Sequence, residues 1–357
     1  MSERHFRRLR ERYEVEGAEG LIDRRRGRAS GRRVPVDRIE WVLDQYRTRY
    51  FDFTAKHFHE RLVAGQGFEL GYTWTKRVLQ DAGLVKRAPK RSAHRKKRPR
   101  RPLPGMLLFQ DGSTHGWLSD RPPLDLVVTL DDATGEIYSA FLVEEEGTFS
   151  SFRGLAEVIG RHGLFCSLYT DRGSHYFLTP KAGGRVAKDQ PTEVGRALRR
   201  LGIAHIPSYS PEARGRMERV FGTLQQRLPQ ELRLAGITTV EAANRFLAER
   251  FVPEHNRRFA VAAAEPGSAF VPFAGDLAEI LCVQAERVVG HDNCVRYDGR
   301  SLQIPAQKHR HHFVKARVRV HAYGDGTLAV FHGPRRLARY QADGRPLSEE
   351  DTTRSAA

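Results

Sequence analysis

The fold of the central part of this chain is decided by the stretch from Met106 to Val143, which reads MLLFQDGSTHGWLSDRPPLDLVVTLDDATGEIYSAFLV. It contains an apolar run that ends at Asp111, then the runs Leu124 to Leu130 and Ile137 to Val143, which the turn DDATG connects. Short apolar runs bounded by turn residues are typical of strands, and a tight turn favours antiparallel pairing. The stretch therefore predicts three consecutive antiparallel strands.

Helical and strand patterns alternate after this stretch. The predicted elements are a helix from Phe152 to His162, a strand from Cys166 to Thr170 that leads into Asp171, a helix from Val194 to Leu201, a short strand from Ala204 to Pro207, and a long helix from about Glu212 to Leu234. Three antiparallel strands followed by this alternation favour a mixed sheet covered by helices. We predict a multidomain α/β protein whose core spans residues 104–275.

Two other regions flank the core. Residues 36–85 show three short helical patterns with glycine-containing turns, which predicts a helix-turn-helix DNA-binding domain, although a generic three-helix bundle gives the same pattern. Residues 280–345 alternate in hydropathy around the turns Asp298-Gly299 and Gly324-Asp325-Gly326. Two hairpins of this kind predict a small β-barrel.

Positive charge is concentrated at the amino-terminal end of the chain. The 357 residues carry a net charge of +17, and residues 1–104 hold 28 Lys and Arg against 13 Asp and Glu. Ten of the sixteen residues from Lys86 to Arg101 are basic. Such a block repels itself and suits a polyphosphate backbone, although it is also typical of a solvated linker. We predict a basic linker over residues 86–103.

The predicted DNA contacts follow from this block and from the third helix of the amino-terminal domain. They are Lys76, Arg77, Lys86, Arg87, Lys90, Arg91, Arg95, Lys96, Lys97, Arg98, Arg100 and Arg101.

Other classes of protein are excluded by composition. No stretch approaches the ~20 apolar residues of a membrane span, and the first twelve residues are rich in Arg and Glu where a signal peptide is apolar. We expect a cytoplasmic protein without a membrane partner. The three cysteines are far apart and form no CxxC pair, which excludes a disulfide framework and a structural zinc site.

Three acidic residues stand where the predicted architecture would bring them together. Asp111 ends the first predicted strand, Asp171 ends the fourth strand beside it, and Glu218 lies in the first half of the long helix. The separations are 60 and 47 residues. Magnesium prefers hard oxygen ligands, and two ions ~3.5–4 Å apart can bind the attacking and leaving oxygens of a phosphodiester. Because 43 acidic residues offer many such triples, spacing alone also fits solvated surface groups.

The local sequences around these acids carry a resemblance. Leu108–Ser113 reads LFQDGS, Tyr169–Ser174 reads YTDRGS and Tyr209–Arg219 reads YSPEARGRMER. They resemble the catalytic segments of DDE transposases with a retroviral-integrase-type core, in particular bacterial insertion-sequence transposases of the ISNCY group. The similarity continues through Glu231–Thr239 and Asn256–Phe259 and covers essentially the whole chain.

This resemblance implies an RNase H-like core in which Asp111, Asp171 and Glu218 hold two Mg²⁺ or Mn²⁺ ions. It implies cleavage of DNA at the ends of a transposon and attack of the freed 3′-OH on a target phosphodiester. The implied partners are the terminal inverted repeats, the target DNA and further copies of the chain. Two alternatives stay open: an inactive, truncated or domesticated transposase that only binds DNA, and a metal-dependent nuclease that cuts without joining.

Several neighbours of the three acids need an interpretation. Glu212 lies about 120° from Glu218 around a helix, so the two cannot hold one metal pair, and Glu218 occupies the family position. Gln225 stands where related cores often carry Lys or Arg, and Arg216 and Arg219 are predicted to contact DNA in its place.

Two further aspartates and two histidines lie beside or between the predicted catalytic segments in the sequence. Asp131 and Asp132 are interpreted as turn residues. His115 and His175 lie near Asp111 and Asp171 in the sequence, and either a phosphate contact or a structural role is open to them.

The first 35 residues depart from the family pattern. Ser2 to Arg28 resembles the recognition helix and turn of a helix-turn-helix that further helices precede in the family. Phe6, Leu9 and Tyr13 form a narrow apolar stripe on this helix. A lone helix of this length is marginal in water. We expect residues 1–35 to be a helix-turn-helix remnant that is mobile or docked on another subunit, through truncation or a start codon placed too late.

Overall fold

The structure of the chain is a computed structural model that describes residues 1–23, 33–87, 98–181, 184–187, 189–209, 211–307 and 310–347, with only the backbone of 211–214. The chain forms two compact units, Met1–Lys90 and Arg91–Ala357. Nowhere in the described residues does a helix combine the length and the apolar composition of a membrane span.

The amino-terminal unit is helical. It contains α1 (Glu3–Glu16), a 3₁₀ turn (Gly17–Leu21), α2 (Val36–Thr48), α3 (Ala55–Gln66) and α4 (Tyr72–Asp81). Helices α2 to α4 enclose a small core whose fully buried members include Val42, Phe58, Leu62 and Leu79. The Thr54 hydroxyl caps α3 by accepting a hydrogen bond from the His57 amide at 3.2 Å. The three helical patterns predicted over residues 36–85 are therefore present, whereas their DNA-binding role stays a prediction.

Helix α1 shares little of this core. None of its residues is buried, and Phe6 and Tyr13 are 56% and 53% exposed. The predicted stripe therefore remains largely uncovered within the described part of the unit. The interpretation of residues 1–35 as a helix-turn-helix remnant stays a prediction, and its residues 24–32 lie outside the described part.

The central sheet has five strands. They are β1 (Leu108–His115), β2 (Leu124–Asp131), β3 (Ile137–Val143), β4 (Ser167–Thr170) and β5 (Ala204–Pro207), in the spatial order β3-β2-β1-β4-β5. Strands β1 to β3 pair antiparallel, whereas β4 and β5 run parallel to β1. The predicted mixed α/β sheet is confirmed.

Strand β1 is longer than predicted. It pairs with β2 from Leu108 to His115, but its ladder with β4 consists of only Leu108 opposite Leu168 and Phe109 opposite Tyr169. The prediction that Asp111 ends the first strand is wrong, because pairing with β2 continues four residues further. Asp111 instead lies two residues beyond the last pair of β1 with β4.

Helices cover both faces of the sheet. On one face, α5 (Thr148–His162) and α6 (Glu193–Arg200) pack with Leu108 and Leu168. On the other, α7 (Pro211–Gln225), α8 (Leu228–Leu234), α9 (Val240–Phe246) and α10 (Val252–Phe259) surround a core that contains Phe109 and Leu130. Successive residues of a strand point to opposite faces, so Leu108 and Phe109 belong to different cores.

The long helix predicted from about Glu212 to Leu234 is two helices, α7 and α8. The break has a local cause at Pro229, near the start of α8. In a continuous helix this proline would lack the amide donor and its ring would clash with the carbonyl of Gln225. A proline in the first turn of a new helix has neither defect, so the chain restarts there.

Strand β3 forms one edge of the sheet, and two asparagines bind its outer side. Asn244 of α9 accepts from the Leu142 amide at 2.6 Å and donates to its carbonyl at 3.0 Å. Asn256 of α10 does the same at Ile137, at 2.9 and 2.8 Å. A π-helical turn, Leu247–Phe251, connects α9 and α10. These side chains satisfy backbone groups that an edge strand otherwise offers to other chains.

The carboxy-terminal region is built from β6 (Val283–Val288), β7 (Cys294–Tyr297), β8 (Arg300–Gln303), β9 (Arg317–Ala322), β10 (Leu328–His332) and β11 (Arg335–Tyr340). Both predicted hairpins are present, as β7–β8 and β9–β10. Among the described residues, however, the ladders form a four-stranded sheet, β11-β10-β9-β6, and a separate pair, β7-β8, that share one apolar core. The predicted barrel is not confirmed.

Candidate active site

Two of the predicted acidic residues occupy matching positions on neighbouring strands. Phe109 of β1 stands opposite Tyr169 of β4, and Asp111 and Asp171 each follow two residues later. Asp111 lies within β1 and Asp171 directly after β4, and both border the same cavity as Phe109 and Tyr169, whose rings contact at 5.4 Å. Parallel register therefore brings together two residues that are 60 positions apart in the sequence.

The two aspartates line one small cavity. Its wall consists of Phe109, Gln110, Asp111, Tyr169, Thr170, Asp171 and Met217. Asp111 is 8% exposed. Asp171 is partly buried, and its Oδ1 accepts a hydrogen bond from the Gly173 amide at 2.8 Å. We refer to Asp111, Asp171 and their surroundings as the acidic edge.

Glu218, the third predicted acid, is placed differently. It lies in α7 directly after Met217, which lines the cavity, but its own side chain is exposed. Within the described residues, no group of three or more His, Cys, Asp or Glu side chains is arranged to hold a metal ion. The structure thus brings Asp111 and Asp171 together, whereas Glu218 as a ligand stays a prediction. The side chain of Glu212 lies outside the described part.

Glu146, which the sequence analysis missed, lies at the acidic edge. It precedes α5, and its carboxylate rests against the backbone of β1 at Gly112, so closely that a Cβ at position 112 would collide with it. A glycine beside Asp111 is therefore what admits this carboxylate. The run Glu144-Glu145-Glu146 before a helix was visible in the sequence, but it does not show which of the three turns inward.

Tyr176 connects these carboxylates to the core. Its buried hydroxyl donates to Gln110 Oε1 at 3.1 Å and to Glu146 Oε1 at 3.3 Å. Burial raises the pKa of Tyr176 well above its ordinary value, and the negative charges of Glu146, Asp111 and Asp171 raise it further. The phenol therefore stays protonated and acts as a donor beside these carboxylates.

The two histidines near the acidic edge have different surroundings. His175 packs on Tyr176 with ring centres 4.0 Å apart, and its Nε2 lies 3.5 Å from Glu146 Oε1. His115 is the last residue of β1 and packs edge-on against Trp117 at 5.1 Å. The structure therefore places His175 at the site, while the surroundings of His115 favour a structural role.

Part of the predicted DNA-binding set is exposed on the amino-terminal unit. Arg77 lies on the outer face of α4, opposite the buried Thr75 and Leu79, and pairs with Asp81 at 3.5 Å. Lys76 beside it is partly buried, and Lys86 and Arg87 beyond the helix are exposed. Lys90, Arg91, Arg95, Lys96 and Lys97 lie outside the described residues.

Four further members of the predicted DNA-binding set, Arg98, Arg100, Arg101 and Arg216, lie near the turn after β2. Asp132 is fully buried there and pairs with Arg98 and with Arg216, while its Oδ2 accepts from the Arg101 amide at 2.8 Å. Arg100 donates to the Asp132 carbonyl at 3.0 Å. The interpretation of Asp132 as a turn residue is correct in position but misses these partners. We call Asp132 with Arg98, Arg100, Arg101 and Arg216 the Asp132 cluster.

The remaining predicted contacts lie on α7. Arg219 is exposed and donates to the Gly215 carbonyl of its own helix at 2.8 Å. Gln225, which replaces a basic residue of the family pattern, donates from Nε2 to Ser113 Oγ at 3.0 Å. The departure thus attaches the end of α7 to β1, two residues beyond Asp111.

Sequence relatives of this chain are transposases by name. A protein of Sinorhizobium fredii named as the transposase y4bF is 32% identical over 336 residues, which cover 92% of this chain and 72% of that protein. The transposase for insertion sequence IS1202 of Streptococcus pneumoniae is 26% identical over 344 residues, with 86% of this chain and 73% of that protein covered. No protein-family model matches the sequence.

Solved structures similar to this one are retroviral integrases. A chain of a simian T-cell lymphotropic virus intasome, in complex with the PP2A regulatory subunit B56 gamma, is 15% identical, covers 78% of this chain and 92% of its own length, and has a TM-score of 0.36. The HTLV-2 integrase catalytic core domain with magnesium, in its dimeric form, is 17% identical, covers 42% and 91%, and has a TM-score of 0.32. Family membership rests on the sequence relatives alone.

The fold and the acidic edge define an α/β protein with two carboxylates on one cavity, one within β1 and one directly after the parallel strand β4. At 32% identity to a relative of which it covers 72%, the chain belongs to the transposase family.

Proposed function

We propose that the chain is an enzyme that cuts DNA at the terminal inverted repeats of a transposon and joins the freed 3′-OH to a target phosphodiester. The observation that carries this proposal is that Asp111 and Asp171, next to the paired strands β1 and β4, line one cavity in a transposase-family chain. Chemistry on phosphodiesters requires compensation of negative charge, and the carboxylates supply ligands for cations that provide it.

The donors at the acidic edge fit Mg²⁺ or Mn²⁺. Magnesium is usually held by one or two carboxylates together with waters and substrate phosphates, and Asp111 and Asp171 offer such a pair. When bound, two ions would polarise the attacking oxygen and neutralise charge on the phosphate. Asp111, Asp171 and Glu218 would hold them.

Glu218 would reach the acidic edge from α7. Met217, the neighbour of Glu218, already lines the cavity, so a change of side-chain rotamer or a small shift of α7 would direct Glu218 towards it. Glu218 would then complete the ligand set when cations and DNA bind.

The chain's other residues orient this site. Tyr176 donates to both Gln110 and Glu146 and so holds the Glu146 carboxylate beside β1. His175 faces the same carboxylate and would contact a phosphate or the scissile oxygen once DNA is bound.

DNA would be held mainly by the basic amino-terminal third. The helices α2 to α4 and the linker 86–103 would bind the inverted repeats, with copies of the chain assembled on the two ends. Replacing the seven basic residues from Lys86 to Lys97 by Gln should weaken end binding and flatten its dependence on salt, because each phosphate contact releases counterions. An unchanged slope would place most phosphate contacts in the core or the carboxy-terminal sheet.

A strand-transfer assay tests the catalytic proposal. The wild-type chain, the element's own end DNA and Mg²⁺ should yield cleaved and joined products, and a chelator should abolish both. Asp111→Asn, Asp171→Asn and Glu218→Gln should each remove products while end binding is kept. Asp298→Asn removes a carboxylate that is 73% exposed and pairs with Arg300, so it is the matched control and should behave as wild type.

A second candidate function is DNA binding without catalysis. The observation that favours it is the exposure of Glu218, so that among the described residues the acidic edge has no third side chain arranged to hold a metal ion. Specific end binding with no metal-dependent product would establish it. Cleaved ends without joined products would instead identify a nuclease.

A further inference from the structure

The Asp132 cluster joins three parts of the core that are distant in sequence. Asp132 belongs to the turn between β2 and β3, Arg98 and Arg101 come from the end of the basic linker, and Arg216 comes from α7. Arg216 also donates from Nη2 to the Arg98 carbonyl at 2.6 Å. The carboxylate is fully buried, so it interacts with these groups with little screening by water.

The cluster lies close to the acidic edge. The Arg98 guanidinium stands over the ring of Phe109 at 5.8 Å, and Phe109 lines the same cavity as Asp111. On α7, Arg216 precedes Met217, another lining residue, and Glu218 follows.

Helix α7 is attached to the rest of the core by polar contacts on both sides of Glu218. Arg216 binds Asp132, and Gln225 binds Ser113 of β1 at 3.0 Å. These two residues are nine positions apart, which is ~13.5 Å along a helix. Glu218 lies between them, one helical position from a buried methionine. These two contacts therefore fix the part of α7 that carries Glu218 relative to β1. Arg216, which contacts Asp132, is closer to Glu218 in the sequence than Gln225 is.

We propose that Asp132 is a positioning residue for the metal site: through Arg216 it fixes the segment of α7 that carries Glu218, and through Arg98 and Arg101 it links that segment to the end of the basic linker. This inference rests on the proposed catalytic function. Arg98 is 41% exposed, so its guanidinium can contact a DNA phosphate without leaving Asp132. Arg216 is only 13% exposed, so its role is to bind Asp132 and not DNA.

The linkage has a consequence for DNA binding. A phosphate held by the end of the linker would contact the same charged cluster that holds α7. Three guanidinium groups, from Arg98, Arg100 and Arg216, surround the single carboxylate of Asp132. The cluster therefore has a net positive charge that attracts DNA even while Asp132 is paired.

The test uses the full chain with Asp132→Asn, which keeps the shape and the ability to accept hydrogen bonds but removes the charge. Asp343→Asn is the matched control, because Asp343 pairs with Arg345 on the surface of the carboxy-terminal sheet. The measurements are the cleavage rate, the Mg²⁺ concentration that gives half-maximal cleavage, end-DNA affinity and thermal unfolding.

Asp132→Asn should raise the half-maximal Mg²⁺ concentration and lower the cleavage rate by ~10–100-fold, the range seen when groups that orient metal ligands are lost. If Asp132 had only a structural role, Asp132→Asn would lower thermal stability, but the protein that remains folded would show the wild-type Mg²⁺ dependence of cleavage. That result, or wild-type rates in the folded variant, would overturn the inference.

A second variant covers the case in which Asp132→Asn does not fold. Asp132→Leu combined with Arg216→Met replaces the buried ion pair by apolar groups of similar size, an exchange that often preserves stability. This variant should fold and still show the weakened Mg²⁺ response, whereas full activity would overturn the inference. If wild type and Asp111→Asn are equally inactive, the proposed function itself fails and the inference with it.

Discussion

Two pairs of aspartates on one sheet have opposite surroundings. Asp111 and Asp171, at the acidic edge, have Glu146 and the Tyr176 hydroxyl as neighbours. Asp131, the last residue of β2, and Asp132, in the turn that follows, are fully buried and accept hydrogen bonds from amides, a hydroxyl and guanidinium groups. The same residue type thus occurs once beside another carboxylate and once in contact with guanidinium groups.

The difference separates carboxylates that serve the fold from carboxylates that serve a ligand. A buried charge that the protein itself pairs is part of the structure, and removing it leaves its partners unpaired. Carboxylates that lie close together on one cavity instead favour a cation, which lowers their mutual repulsion. Changes at Asp111 or Asp171 should therefore act mainly on activity, whereas changes at Asp132 should lower stability together with the activity that its positioning role supports.

Asp111→Asn should give the largest effect on activity. Removing one ligand of the metal pair should lower cleavage and joining more than ~100-fold, because loss of a group that only orients a ligand already costs 10–100-fold. The free energy of unfolding should change less than it does in Asp132→Ala. Product analysis and urea titration measure the two quantities. A strong loss of stability with normal activity would reverse the assignment of this region.

Asp132→Ala should give the largest effect on stability. It leaves Arg216, which is 13% exposed, without its anion, and such a change costs ~3–5 kcal/mol in buried pairs. Urea unfolding monitored by circular dichroism measures it. Asp343→Ala, at a surface pair, is the control and should change stability by less than ~1 kcal/mol. Equal effects of the two variants would contradict the comparison.

His255 extends the comparison to a buried base without a compensating acid. Burial, and then the charges of Arg227 and Arg258, lower its pKa to about 4. The folded protein therefore binds this proton less readily than the unfolded chain, whose histidines titrate near 6.5. The contribution to stability is present above pH ~6.5 and is lost as the pH falls towards 4, by up to ~3 kcal/mol.

His255→Gln should accordingly flatten the fall in unfolding free energy between pH ~6.5 and ~4. Urea unfolding across this range measures it. His291→Gln changes an exposed histidine and should leave the slope as in wild type. A slope that His255→Gln does not alter would mean that other groups control the acid response.

Gly112→Ala should give the smallest effect and tests whether Glu146 belongs to the acidic edge. The new Cβ would displace the Glu146 carboxylate, and we expect a fall in cleavage of ~10-fold, the lower end for groups that support a metal site. Gly116→Ala is the matched control, because a Cβ there meets no atom within 4 Å. Wild-type activity of Gly112→Ala would remove Glu146 from the site.

Elements defined by local signals were predictable. Strand β3 from Ile137 to Val143 and strand β5 from Ala204 to Pro207 have the predicted bounds. The turn Asp298-Gly299 adopts positive φ at both residues, 48° and 72°, as the sequence of a two-residue hairpin turn favours. Pro229 also carried the signal for the break between α7 and α8, which the apolar periodicity concealed.

The candidate site was predictable in part. Asp111 and Asp171 follow apolar runs that could be recognised as strands, and the structure places them together. Glu146 could not be chosen among three consecutive glutamates, because its inward position depends on the absence of a side chain at Gly112 on another strand. The exposed position of Glu218 depends on how α7 lies over β1, which helical periodicity alone does not define.

By itself, then, the sequence determined the order of helices and strands, the concentration of positive charge in the first third, and the candidates Asp111 and Asp171. These follow from hydropathy, turn chemistry and charge, which act over a few neighbouring residues. Only the tertiary structure decided that β1 continues past Asp111, that Glu146 approaches it, and that Asp132 takes Arg98 and Arg216 as partners. Those features depend on strand register and helix packing, which join residues far apart in the chain and leave no local pattern.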